Sequence, residues 1–168
     1  MDAHKESEGC SRLVARVSDA YSFAAINKHL TDQHLEIVAP AGAQPWILAT
    51  ISKIREQKKL SQQVLVVVST GREAEDLADF LKLVEPEAEV LEFVSWETLP
   101  HERLSPKSDT VTTRIKALHK INSAKPPKVI VTSIRGALQP IVSDILDEEL
   151  ISLALDKEVS MAKLIERL

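Results

Sequence analysis

A chain of 168 residues, 44% hydrophobic and 27% charged, is long enough to bury one sizeable core, or one full domain and the start of another. Its longest purely aliphatic run, Val64–Val68, falls far short of the roughly 20 apolar residues of a membrane span, and its one cysteine, Cys10, excludes an internal disulfide and gives no metal-ligand spacing. A net charge of −4 argues against a dedicated nucleic-acid binder, which needs a surplus of Lys and Arg to neutralise phosphates.

Residues 1–10 are polar and charged, lack the apolar centre of a signal peptide, and read as a disordered leader of a cytoplasmic protein. Leu13, Val14, Val17 and Tyr21 fall at helical spacing, which predicts a helix over Ser11 to Ala25. Leu35 to Ala39 reads as a short buried strand ended by Pro40-Ala41-Gly42, and a helix with Ile47, Ile51 and Ile54 inward follows from Gln44 to Lys58. Val64 to Ser69 is the clearest strand, continuous and β-branched, as expected where both faces are covered. At Thr70 the period turns helical. Thr70 and Glu73 have capping-box spacing, Leu77, Phe80, Leu81 and Val84 form a stripe, and Pro86 ends the helix.

Glu89 to Val94 is a third expected strand, and Ser95 to Ser108 an aperiodic loop with two prolines. Asp109 is the expected N-cap of a helix running to Asn122, with Val111, Ile115 and Leu118 inward. Val129 to Thr132 makes a fourth strand, and Ser133 caps a short helix that stops before Pro140. Strands alternating with crossover-length helices imply an α/β fold, an open and mostly parallel sheet with flanking helices, over residues 11–140. Beyond it the texture changes. Asp147-Glu148-Glu149 is a polar junction, Ile151 to Leu155 alternates, and Ser160 precedes an apolar stripe of Met161, Leu164, Ile165 and Leu168. Residues 141–168 are expected to open a second, α+β domain that is cut short.

Charge is uneven. From Glu97 to Lys128 seven basic residues face three acidic ones, a net +4, which leaves −8 for the rest of a chain whose total is −4. A solvated helix face explains this most simply, and a docking patch for an acidic partner is the sharper reading.

Several chemistries are absent. The chain has four glycines, Gly9, Gly42, Gly71 and Gly136, none followed by Lys and no two close together. That excludes a phosphate-binding P-loop, whose backbone must wrap phosphates and whose Lys must neutralise them, and it excludes a dinucleotide fingerprint. The position a P-loop would take is occupied by Pro40, Ala41, Gly42, Ala43 and Gln44, with no cation and no Ser or Thr for magnesium. Asp147-Glu148 reads as a solvated junction, and His101 beside Glu102 and His119 as surface histidines. The Ser69-Thr70-Gly71-Arg72 turn could hold an anion, although capping explains it. No catalytic residue, metal or cofactor is expected.

One segment is specific: Trp96-Glu97-Thr98-Leu99-Pro100-His101-Glu102-Arg103-Leu104-Ser105-Pro106, followed by Asp109 and Arg114. It resembles the Trp-Glu-Thr-Leu-Pro-Tyr-Glu-x-x-Ser-Pro-x-x-Asp signature of the transcription-repair coupling factors, with His101 where many members have Tyr. The likeness runs from about Leu35 to Pro140, and more weakly to Leu168. It implies a UvrB-like first domain, RecA-like in fold but without a functional P-loop, beside a second domain that recruits UvrA and is mostly missing here. RNA polymerase, DNA and the ATP-driven translocase are implied only for the full-length protein, and a monomer is expected. Trp96, Glu97, Leu99, Pro100, Glu102, Arg103, Ser105, Pro106, Asp109 and Arg114 are the implied signature residues. A packed loop is their expected role, and an interdomain contact the second. Two rivals stand behind this reading, a small enzyme using His101 and Glu102, and nucleic-acid binding through the basic stretch.

Overall fold

The computed structural model describes residues 12, 16, 21–60, 63–85, 88–96, 107–141, 160, 161 and 165. Three parallel strands form the sheet: β1 (Val64–Val68), β2 (Val90–Phe93) and β3 (Val129–Ser133), in the order β1-β3-β2. Val129 lies opposite both Val64 and Val90, so the strands start level. The helices are α1 (Tyr21–His29), α2 (Gln44–Gln57), α3 (Gly71–Val84), α4 (Ser108–Ile121) and α5 (Ile134–Leu138), with a 3₁₀ turn at Ala41–Ala43.

The chain passes from β1 through α3 to β2, skipping the place that β3 later fills, and then returns through α4. Crossovers of one hand that run in opposite directions put their helices on opposite faces. The side chains follow. Alternation along β3 sends Val129 and Val131 to one face, where they pack with Val66, Leu77, Ala78, Leu81 and Val84 and with Ala49 of α2. Ile130 points to the other face and meets Phe93, Ala117 and Leu118. Central β3 is buried at every position. A third cluster, Ile26, Ile47 and Ile54, holds α1 against α2.

Local signals place the helix starts. The Thr70 hydroxyl accepts the Glu73 N–H at 3.2 Å, and the Glu73 carboxylate accepts the N–H groups of Thr70 and Ser69 at 3.3 and 3.1 Å. This is the expected capping box, and it satisfies the Ser69, Thr70 and Glu73 N–H groups at this turn. The Ser133 hydroxyl accepts the Gly136 N–H at 3.1 Å and starts α5.

Five expectations change. Leu35 to Ala39 has no regular secondary structure and belongs to no sheet, and Val38 is 92% exposed. Strands are stabilised by cross-strand partners. This segment instead lines a groove beside Phe23 and Ile26 of α1, so the sheet has three strands and not four. β1 is covered on one face only, because α4 spans β2 and β3 and leaves Leu65 60% and Val67 43% exposed. The first described helix continues to His29, past Ala25, and Arg12 and Arg16 are also helical. Asp109 is not the N-cap of α4: Lys107 takes that position without a side-chain cap, and Asp109 sits in the first turn. The inward line of α4 is Arg114, Ala117 and Leu118, with Val111 and Ile115 only partly buried. The polar junction and the stripe of residues 141–168 fall almost wholly outside the described residues.

Candidate functional site

Parallel α/β sheets bind ligands in the crevice at the carboxyl ends of their strands. Two recesses lie there. One, of about 320 Å³, is bounded by Gly71, Ala74 and Glu75 of α3, by Glu92 to Ser95 at the end of β2, by Asp109, Thr110 and Thr113 of α4, and by Ser133. Three carboxylates and no cation line it. Burial pushes the Glu92 carboxyl above its ordinary range, and Glu75 adds like-charge repulsion in the same direction.

The other recess, of about 270 Å³, lies between Gln44 and Pro45 at the start of α2, Val68 at the end of β1, and Glu73, Asp76, Leu77 and Phe80 of α3. Its charged lining residues are both carboxylates. The preceding segment is a tight turn in which the Ala43 N–H donates to the Pro40 carbonyl at 2.8 Å. Among the described residues no glycine has a positive φ, and a β-carbon on Gly42 would meet nothing within 4 Å. Ala43 offers α2 no side-chain cap, and Pro45 in its first turn has no N–H to donate. Glycine's conformational freedom, one of the things a phosphate cradle requires, is not used at Gly42.

The described part of the signature forms a compact anchor. The Trp96 N–H donates to Gln139 Oε1 at 2.6 Å, and Gln139 Nε2 donates to the Trp96 carbonyl at 3.3 Å. Arg114 is 1% exposed. Its Nη1 donates to the Val94 carbonyl at 2.6 Å, and its guanidinium carbon lies 4.2 Å from the Phe93 ring centre and 5.1 Å from that of Trp96. Nη2 is buried without a hydrogen-bond partner, and desolvation pulls the guanidinium below its usual range. Two aromatic faces and one carbonyl are what hold this cation.

Asp109 is exposed and lines the first recess. Glu97, Leu99, Pro100, Glu102, Arg103, Ser105 and Pro106 lie outside the described residues, as do His101 and Asp147-Glu148. The structure therefore brings together Trp96 and Arg114 and adds Phe93 and Gln139, which the sequence did not single out. Gln139 carries no local signal. Gly136 did carry one, a glycine one helical turn after Thr132. A β-carbon there would collide with the Thr132 hydroxyl, which donates to the Phe93 carbonyl at 2.7 Å.

Three cations of the basic stretch are buried or paired. Arg114 is internal, Lys120 stands 3.7 Å from Glu89, and Lys128 stands 2.7 Å from Glu56. Among the described residues no three His, Cys, Asp or Glu side chains are grouped to hold a metal ion, and no helix is long and apolar enough to cross a membrane.

No family model matches the chain. Two curated proteins do: the transcription-repair-coupling factors of Mycobacterium bovis and Mycobacterium tuberculosis, each 41% identical over 140 residues. The match takes in 80% of this chain, and the chain spans about 11% of the length of either relative.

Proposed function

The chain belongs to the transcription-repair-coupling factor family, and from that premise we propose that it is a non-catalytic scaffold unit of such a factor, a RecA-like sheet that has lost its P-loop. The observation that carries this reading is the recess at Gln44, Pro45 and Val68, whose only charged lining groups are the carboxylates of Glu73 and Asp76. A triphosphate there would meet like charge with no cation to offset it, a cost that rises where water is excluded. The open face at Leu65 and Val67 suits a unit that packs against further parts of a longer protein.

In that role the sheet presents the UvrA-recruiting domain and restrains the ATP-driven translocase carried elsewhere in the full-length protein. The Trp96 anchor fixes the start of the signature loop, so that the loop acts as a structural connection. A longer coupling factor carrying this segment tests the proposal. Arg114→Ala is expected to impair transcription-coupled repair and UvrA capture while ATP hydrolysis persists or rises. Loss of hydrolysis in a variant that stays folded would contradict the scaffold role, because it would give this unit a part in the chemistry.

A further inference from the structure

The recess at the end of β2 is lined by carboxylates that have no partner. Glu75 of α3, Glu92 of β2 and Asp109 of α4 stand around it with no cation among its described lining residues. None of the three makes a hydrogen bond or an ion pair among the described residues. The cations close by are committed. Lys82, which acts on Glu92, stands 3.0 Å from Asp79, and Arg114 donates to the Val94 carbonyl and lies against two rings. The folded chain therefore gathers negative charge around one depression and bears the repulsion, with less screening than open water would give.

The lining is not a compact cage. Among the described residues no three His, Cys, Asp or Glu side chains are grouped to hold a metal ion. The carboxylates come instead from three different elements, and the recess adds the apolar surface of Phe93 and Val94 and the hydroxyls of Thr110 and Thr113. A guanidinium suits such a lining. It presents its N–H donors in a planar fork, which reaches separated acceptors that a small ion cannot join, and its alkyl stem packs on apolar surface.

We infer that this recess receives an arginine side chain from a basic peptide segment of a partner protein, with the guanidinium among Glu75, Glu92 and Asp109 and the stem on Phe93 and Val94. Charge complementarity selects the cation, and the same carboxylates repel nucleic acid. The inference goes beyond the scaffold role and does not depend on it.

Fluorescence anisotropy on the 168-residue chain tests it, with a labelled glycine-serine peptide that carries two arginines. Saturable binding is expected, weaker at high salt and weakened about tenfold by Glu92→Gln or Asp109→Asn. The same peptide with citrulline, an uncharged isostere, in place of arginine should not bind. Glu36→Gln removes an exposed negative charge outside the recess and should leave the affinity within about twofold, because solvent and salt screen distant charges. Glu92→Gln removes a charge that burial penalises, so an unfolding midpoint at or above that of the parent separates lost binding from lost fold. Absence of saturable binding, binding of the citrulline peptide, equal losses from Glu36→Gln and Glu92→Gln, or displacement of the peptide by magnesium at constant ionic strength would overturn the inference.

Discussion

The side-chain amide of Gln139 pairs with both backbone polar groups of Trp96, accepting its N–H at 2.6 Å and donating to its carbonyl at 3.3 Å. A side chain beyond the end of α5 thus does for Trp96 what a neighbouring strand would do. It extends the order of the sheet past the last residue of β2 and fixes where the signature loop departs.

Gln139→Ala leaves both groups of Trp96 part-buried and unpaired and is expected to cost about 1–3 kcal/mol. Gln139→Glu keeps the acceptor for the Trp96 N–H and loses the donor, setting a carboxylate against the Trp96 carbonyl. It should therefore recover little of that loss. Urea unfolding followed by Trp96 fluorescence in a Trp46→Phe background measures both.

Arg114 tests how the buried cation is held. Arg114→Ala removes the hydrogen bond to Val94, both ring contacts and the packed alkyl stem, at an expected cost of about 3 kcal/mol. Arg114→Met fills the same space without a charge to desolvate, and should be clearly more stable than Arg114→Ala. Arg114→Lys replaces a flat stacking group with a compact, strongly hydrated one and should not restore the parent stability. Equal stability of the alanine and methionine variants would show that packing plays no part.

The two glycines offer a contrast in sign. Gly136→Ala drives a methyl group into the Thr132 hydroxyl, which bonds Phe93, and should destabilise the chain by about 1–3 kcal/mol. Gly42 has open space and no positive φ, so Gly42→Ala is expected to be neutral or to stabilise by about 0.5 kcal/mol through the unfolded chain. A large loss at Gly42 would mean that its backbone is needed in a conformation the structure does not show.

The starts of α3 and α5 were legible because they are local: the Thr70–Glu73 box and the Ser133 cap sit within three residues of what they satisfy. Leu35 to Ala39 misled for the opposite reason. Its composition suits a strand, but pairing depends on a distant partner that composition cannot reveal. β1 misled likewise, since five aliphatic residues in a row look the same whether one face or both are covered. Within the candidate site, the absence of a lysine and of closely spaced glycines at Pro40 to Gln44 was readable residue by residue. Gln139, Phe93 and the inward turn of Arg114 were not, because each meets its partner only through the tertiary fold.

Glu92 gives the chain a pH signature. Its folded pKa lies above the ordinary 4.5, first through burial and then through Glu75. The folded state therefore binds this proton more tightly than the unfolded chain does. The resulting penalty is fully present at neutral pH and fades as the pH falls through the raised value toward 4.5. Glu85 acts in the same direction through burial, with Lys53 opposing. Glu92→Gln should therefore raise the unfolding midpoint at neutral pH and give a smaller gain in mild acid. A gain that grows on acidification would contradict the sign.

Magnesium-ATP titration of the folded chain, read by calorimetry, bears most directly on the proposed loss of a P-loop. No saturable binding is expected, because the described charged groups that line the recess beside Gln44 and Pro45 are the carboxylates Glu73 and Asp76. Stoichiometric binding that disappears when Gln44 is replaced by Glu would contradict this, and with it the scaffold role.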